Sequence, residues 1–161
     1  MTLTFRKAVP GDEALVADFV RALAEYENLA HEAVATPEDF GRTLFGPTPH
    51  GHALFVEIGG EPVAFAVWFF NYSTFTGRPG LFVEDIFVKP EHRGRGLGTA
   101  IFRELARRAV DEGCGRMEWL VLNDNAPAVK FYRGIGARPM DQWTVQRLDG
   151  ETLASLAAGG E

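Results

Sequence analysis

The N-terminal part of the chain combines one strand pattern with two helix patterns. Residues 3–7 are typical of a strand and precede a Pro-Gly-Asp turn. Apolar side chains then recur at helical spacing as far as Glu27 and Asn28, which predicts a helix with Asp12 at its N-cap. Farther along, Thr36 precedes a proline and two acidic residues. This arrangement is typical of a helix start, so a short second helix is expected.

Strand patterns dominate the middle of the chain. Residues 53–58 and 63–70 are apolar and flank Gly59-Gly60, which can supply the positive φ of a tight turn, so the two strands should pair antiparallel. A third apolar strand, residues 81–88, is interrupted by Glu84 and Asp85. The remaining patterns predict a helix from Leu97 to about Gly113, a strand over 117–122, a short helix over 127–135 and a final strand over 143–148.

Composition fits one globular domain spanning residues 1–161, with 46% hydrophobic and 24% charged residues. No stretch approaches the ~18 to 20 apolar residues of a membrane span, so we expect a cytoplasmic protein without a membrane partner. The formal charge of -6 disfavours binding to nucleic acid. The spacing His50-x-His52 lies in a glycine- and proline-containing loop without a third ligand nearby, and no metal is expected.

A glycine-rich loop, residues 93–98, opens the predicted long helix. Gly94, Gly96 and Gly98 alternate with larger residues, so the backbone can turn tightly and aim successive N–H groups at one point. The helix N-terminus and two arginines add positive charge, which favours pyrophosphate as the ligand. Thr99 breaks the dinucleotide pattern G-x-G-x-x-G. The alternative is a turn that merely starts a helix.

The same loop carries a family resemblance. It has an arginine, then a glycine three residues later and another two residues after that, as in the GNAT superfamily of N-acetyltransferases. Residues 24–27, 83–88 and 93–98, together with Asn125-Ala126-Pro127-Ala128 and Phe131-Tyr132, resemble the diamine acetyltransferase branch. The resemblance covers nearly the whole chain. It implies an enzyme that moves an acetyl group from acetyl-CoA to a primary amine of a small cationic substrate.

The resemblance also implies a fold and a cofactor site. The fold is α/β (α+β), with a central mixed, mostly antiparallel twisted sheet that splays at the cofactor cleft and is flanked by helices. The resemblance also implies that the protein is a homodimer. The residues expected to bind acetyl-CoA are Ile86, Phe87, Val88, Arg93, Gly94, Arg95, Gly96, Leu97, Gly98, Thr99, Asn125, Ala126, Pro127 and Ala128. Asn125 can also cap the helix that follows it.

Two residues are expected to carry the proton transfers. An alkylamine with a pKa of about 10.4 is protonated at neutral pH, so a base must act before the amine attacks. Strand alternation predicts that Glu84 and Asp85 point to opposite faces, and the resemblance makes Glu84 the base and Asp85 structural. The alternative is that one acid caps a loop and the other pairs with Arg93 or Arg95. Tyr132 is the implied proton donor to sulfur; otherwise it is a packing residue.

The amine pocket is expected to include Tyr26, Glu27, Ser73, Phe75, Glu84, Glu118, Trp119 and Leu120. For Tyr26 and Glu27, a solvated helix end is the alternative. Ser73 stands where spermidine/spermine acetyltransferases carry an acidic residue, and Phe75 stands where they have tryptophan. A lysine-like or other small amine is therefore expected over a long polyamine. A non-catalytic acyl-CoA-binding module and a protein or peptide N-acetyltransferase remain alternative functions.

Overall fold

The structure is a computed structural model and describes residues 2–160. These residues belong to two compact units, and the boundary along the chain follows Val121. The first unit contains five strands, β1 to β5: Leu3–Lys7, His52–Ile58, Glu61–Ser73, Arg78–Val88 and Met117–Trp119. Its helices α1, α2 and α3 span Glu13–Tyr26, Pro37–Leu44 and Leu97–Asp111. Single 3-10 turns occur at Ala30–Glu32 and Pro90–His92. None of the helices in the described part of the chain has the length and apolar character needed to cross a membrane.

The five strands form one open sheet in the order β1-β2-β3-β4-β5. The first three pairings are antiparallel, and β4 pairs with β5 in parallel. A parallel neighbour requires a crossover, and α3 provides it. The expected mixed, mostly antiparallel sheet flanked by helices is confirmed.

Side chains alternate between the two faces of the sheet. On the α1 face, Phe19 packs onto a buried cluster of strand residues, namely Ala53, Phe55, Phe65 and Phe87. On the α3 face, the helix buries one apolar stripe on the opposite side of the strands; the stripe comprises Leu97, Ile101, Leu105 and Ala109. Apolar burial on both faces therefore makes this sheet the rigid support for the loop that joins β4 to α3.

Two local predictions are confirmed, and a third is confirmed in its position but not in its side-chain bond. Gly59 and Gly60 adopt φ of 62° and 84° in the β2–β3 hairpin. Thr36 and Asp39 form a reciprocal capping box at α2. Asp12 stands at the N-cap of α1 but makes no side-chain cap bond. Its carboxylate instead accepts from Arg6 and from the backbone N–H of Val9, both at 2.8 Å. The salt bridge to β1 outcompetes the helix cap.

The second unit contains helices α4, Ala126–Gly134, and α5, Gly150–Ala157. The predicted final strand over 143–148 is wrong, because those residues have no regular structure and Trp143 is 74% exposed. A strand requires a neighbour to satisfy its backbone N–H and C=O groups, and residues 122–160 contain no other strand. The strand predicted over 117–122 ends at Trp119. A single domain over residues 1–161 stays a prediction.

Candidate active site

The glycine-rich loop opens α3 as the sequence predicts. Gly94 and Gly96 have φ of 73° and 77°, and a Cβ added at either would meet no protein atom within 4 Å. Their left-handed backbone therefore requires glycine, while the space in front of them is open. The first bond of α3 runs from Ala100 N–H to Gly96 C=O at 3.0 Å, and no side chain caps this end. The N–H groups of residues 97–99 thus remain available to an anion.

The edge of β4 next to this loop is also open. β4 pairs with β5 only at Leu81, Phe82 and Val83, and within residues 2–160 no strand pairs with that edge beyond them. Lys89 N–H donates to Val63 C=O at 3.0 Å, so the antiparallel alternation turns the backbone groups of Ile86 and Val88 away from β3. The backbone groups of Phe87 face β3 instead, and its ring lies in the α1-face cluster.

A β-bulge at Glu84 interrupts the alternation of β4. Val67 of β3 lies opposite Asp85, and the next residue, Trp68, lies opposite Val83, so Glu84 is the extra residue. Before the bulge Val83 packs on the α3 face; after it Ile86 packs there, and Asp85 shares the phase of Phe87 on the α1 face. Regular alternation from Val83 would have placed Asp85 on the α3 face. The bulge removes the regular alternation on which the opposite orientation of Glu84 and Asp85 was based, and that orientation stays a prediction.

The two neighbouring carboxylates have different surroundings. Glu84 is exposed, whereas Asp85 is partly buried. Burial, together with the negative charges of Glu84 and Glu27, raises the pKa of Asp85 to about 6. Burial also raises the pKa of Glu27, which caps the C-terminal end of α1. In the described part of the chain, no lysine, arginine or histidine lies within 4.0 Å of these three acids. The alternative that Arg93 or Arg95 pairs with one of them is thus excluded for this conformation.

Arg93, the first residue of the loop, contacts aromatic rings. Its guanidinium lies 4.6 Å from the ring centroid of Tyr26 and 5.3 Å from that of Phe87. The rings of Tyr26 and Phe87 meet edge to face, with centroids 6.4 Å apart. Arg93 Nε also donates to Val88 C=O at 2.9 Å. Arg95 is exposed, and no described residue forms a hydrogen bond or ion pair with it.

The other residues predicted around the amine are scattered over the first unit. Ser73 ends β3 with only 8% of its surface exposed, whereas Phe75 in the β3–β4 turn is 98% exposed. On β5, Trp119 packs on Phe102 with ring centroids 4.7 Å apart, and Glu118 pairs with Arg116 at 2.9 Å. Leu120 follows the strand and is exposed. Of the predicted pocket residues, Glu27 and Glu84 act on Asp85 through their charges, and Tyr26 directly precedes Glu27.

The second unit carries the remaining predicted residues on α4. Asn125 caps this helix by accepting from Ala128 N–H at 3.3 Å, and Pro127 occupies its first turn. The capping role is confirmed, and it leaves the amide NH₂ of Asn125 as a donor. Tyr132 is partly buried, and its ring lies 5.5 Å from that of Phe131. Nowhere in residues 2–160 do three His, Cys, Asp or Glu side chains form a group that could hold a metal ion.

Asp85 is the functional candidate that sequence reasoning assigned to structure. The signal was present, because two carboxylates inside an apolar strand rarely serve packing. What the sequence lacked was the bulge that changes the phase of the strand, and the approach of Glu27 from α1. Both depend on contacts between residues distant in the chain.

Comparison with known proteins identifies relatives of this chain. The model of the family described as "Acetyltransferase (GNAT) family" matches residues 19–137. The pig (Sus scrofa) thialysine N-epsilon-acetyltransferase is 37% identical over 167 residues, which cover 97% of this chain and 98% of that protein. L-ornithine N5-acetyltransferase NATA1 of Arabidopsis thaliana is 26% identical over 94% of this chain and 86% of that protein. An integron cassette protein from V. cholerae has a similar structure, with a TM-score of 0.81, 23% identity and coverage of 98% of both chains.

Asp85→Asn should remove a pH-dependent cost in stability. The folded chain holds the Asp85 proton more tightly than the unfolded chain, so wild-type stability falls as pH rises from the usual aspartate pKa of 3.8 through about 6. Between about pH 5 and pH 8 the wild type should lose ~1 kcal/mol more free energy of unfolding than the variant, measured in urea. Asp141→Asn makes the same change at an exposed site and should not alter this dependence. Parallel curves for Asp85→Asn and wild type would contradict the raised pKa.

Proposed function

The chain belongs to the acetyltransferase (GNAT) family, and we propose that it transfers the acetyl group of acetyl-CoA to the amine of a small cationic substrate by direct attack. One observation carries the proposal: an anion-attracting loop and a group of unpaired carboxylates occur at the same end of β4. The loop suits the phosphates of the cofactor. The carboxylates suit an ammonium substrate.

The open space in front of the loop fits a pyrophosphate. The left-handed glycines leave the backbone uncovered, and the first N–H groups of α3 have no partner in the helix. No acidic residue occurs in the first turn of α3 to repel an anion. Arg95 is exposed beside these groups and adds a full positive charge. We therefore assign Gly94 to Thr99 to the cofactor phosphates.

The open edge of β4 supplies the next contacts. Acetyl-CoA provides an activated thioester whose carbonyl oxygen gains negative charge when the amine attacks. The N–H groups of Ile86 and Val88 point away from β3, so either can donate to the cofactor as a strand would. A fixed backbone donor stabilises such a developing charge without reorganisation. The contribution of Phe87 is then its buried ring.

We place the base in the pair of acids at the bulge. Asp85 has a pKa of about 6, close to neutral pH, and such a carboxylate accepts a proton more effectively than a fully acidic one. Glu84, the base implied by the family resemblance, is the second candidate and would act through water. In either case the amine proton goes to the carboxylate, and the free nitrogen lone pair forms the new N–C bond.

Tyr132 is our candidate for the last proton transfer. As the C–S bond breaks, the electron pair remains on sulfur, and a phenol O–H can donate a proton to it. The side chain is partly buried on α4 and follows Phe131 as in the family motif. On the same helix, Asn125 to Ala128 are assigned to the cofactor, with the free amide NH₂ of Asn125 as a donor.

The expected substrate carries more than one polar group. Glu27, Glu84 and Asp85 leave negative charge unpaired, which favours an ammonium. Two relatives are named for transfer to thialysine and to L-ornithine, both amino acids with a side-chain amine. We infer that a lysine-like amino acid is preferred to a long polyamine.

Two alternative functions are a non-catalytic acyl-CoA-binding module and a protein N-acetyltransferase. A non-catalytic acyl-CoA-binding module would keep the loop but not need a base of raised pKa or a tyrosine on α4. A protein N-acetyltransferase would need an open groove for a peptide. No observation on the described residues favours either function over a small-amine acetyltransferase.

We also propose that the chain forms a homodimer. Several large apolar side chains of the second unit are exposed, including Trp143, Val145, Leu148, Leu153 and Leu156. Exposed apolar surface of this kind is typical of a contact with another chain, and a second copy is the commonest partner. A molar mass equal to that of one chain, 17.7 kDa, by light scattering at micromolar concentration would exclude the dimer.

Gly96→Asp should weaken acetyl-CoA binding about 100-fold or more, because a side chain would fill the phosphate space and its charge would repel the anion. Isothermal titration calorimetry measures the dissociation constant. Gly59→Asp is the matched control, since Gly59 also has positive φ, at 62°, and open space around it. It should bind acetyl-CoA as the wild type does. Equal affinity for Gly96→Asp and Gly59→Asp, both folded, would refute the assignment.

An amine panel tests the reaction itself. Wild-type protein with acetyl-CoA should release thiol in the presence of thialysine, ornithine or lysine analogues, with a higher kcat/KM than for spermidine.

Tyr132→Phe should still bind acetyl-CoA but lose about 100-fold in kcat. Wild-type binding without turnover on any amine would instead support the binding module. A preference for spermidine would overturn the substrate assignment.

The base is identified by two isosteric variants, Asp85→Asn and Glu84→Gln. If Asp85 accepts the proton, kcat at saturating amine should rise with pH through a pKa near 6 in the wild type and in Glu84→Gln. Asp85→Asn should lose that limb and about 100-fold in kcat. The reverse pattern, with the loss confined to Glu84→Gln, would return the role to Glu84.

A further inference from the structure

We propose that Arg93 is a positioning residue of the amine site and does not bind the phosphates of the cofactor. The inference rests on the proposed function and deepens it. In the family motif Arg93 is the first residue of the anion loop, and its charge alone would assign it to pyrophosphate. The contacts of its side chain point in another direction.

The guanidinium of Arg93 is already engaged by the chain. It stacks on Tyr26 at 4.6 Å and lies 5.3 Å from Phe87. Its Nε donates to Val88 C=O at 2.9 Å. A planar guanidinium suits this combination of ring stacking and a directed bond, and a lysine ammonium does not reproduce it.

These contacts join two elements that are far apart in sequence. Tyr26 is the last residue of α1, and Phe87 and Val88 end β4. Glu27 directly follows Tyr26, and its charge acts on Asp85. By holding Tyr26, Arg93 fixes the end of α1 beside β4 and so sets the separation of the two carboxylates that would meet the substrate ammonium.

The same contacts keep the cation of Arg93 away from the acids. It lies next to Tyr26, yet no nitrogen of Arg93 is within 4.0 Å of a Glu27 or Asp85 oxygen. An arginine paired with either acid would neutralise it and compete with the substrate. The stack on Tyr26 thus adds order to the site without consuming its negative charge.

Arg95 provides the contrast within the same loop. Both arginines are exposed, but none of the described residues bonds to Arg95. Its charge is therefore available to phosphate, whereas that of Arg93 is directed at the two rings. Substitutions of the two arginines should therefore have different effects when CoA binding and amine kinetics are measured separately.

The test compares Arg93→Lys and Arg93→Gln with Arg95→Gln. Calorimetry gives the dissociation constant for CoA, and steady-state kinetics at saturating acetyl-CoA give KM and kcat for the best amine of the panel. Both Arg93 variants should bind CoA within ~3-fold of the wild type but show an amine KM raised about 10-fold or more, with a smaller change in kcat. Arg95→Gln should show the opposite profile, with weaker CoA binding and little change in amine KM.

A double-mutant cycle with Tyr26→Ala tests whether Arg93 acts through Tyr26. Tyr26→Ala should raise the amine KM, and Arg93→Lys in that background should raise it no further. Additive effects would overturn the positioning role, as would CoA binding weakened equally in the Arg93 and Arg95 variants. A wild type that binds CoA but acetylates no amine would overturn the proposed function instead, and the CoA affinities would still decide whether Arg93 binds phosphate. Thermal unfolding checks that each variant is folded.

Discussion

The site depends on a strand with one incomplete side. Apart from the bulge at Glu84, β4 pairs with β3 along its whole length, but β5 pairs with it at only three residues. Beyond that point the N–H and C=O groups of Ile86 and Val88 still require partners, since buried backbone groups are rarely left unpaired. Arg93 satisfies the Val88 carbonyl, while the N–H groups stay open. An extended ligand arm can complete the sheet there, which is why the cofactor is assigned to this edge.

The bulge at Glu84 decides which side chains of β4 face α1 and which face α3. It shifts the phase of the side chains, so Asp85 and Phe87 share the α1 face while Ile86 and Val88 remain on the α3 face. Acidic groups thereby approach the end of α1, where Glu27 lies. Burial, followed by the repulsion from Glu84 and Glu27, raises the pKa of Asp85, and a nearby cation would relieve that cost. The same arrangement that strains the free protein therefore favours the ammonium form of a substrate.

Charges of opposite sign occur within a short stretch of chain without cancelling each other. Residues 84–85 carry two acids, and residues 93–95 carry two arginines. Stacking on Tyr26 holds Arg93 apart from the acids, and Arg95 is exposed. This separation leaves the carboxylates and Arg95 without a partner of opposite sign among the described residues.

Local signals in the sequence determined the features that depend on near neighbours. The capping box at Thr36, the Gly59-Gly60 hairpin, the helix stripe from Leu97 and the left-handed loop before it need only contacts within a few residues. The tertiary structure alone decided the bulge at Glu84 and the approach of Glu27 to Asp85. It also decided the stack of Arg93 on Tyr26 and the salt bridge from Arg6 that engages the Asp12 carboxylate. It also decided that residues 143–148 form no strand. Each of these features depends on which distant partner is present, and alternation of apolar residues records a preference for a strand but not the neighbour that must complete its hydrogen bonds.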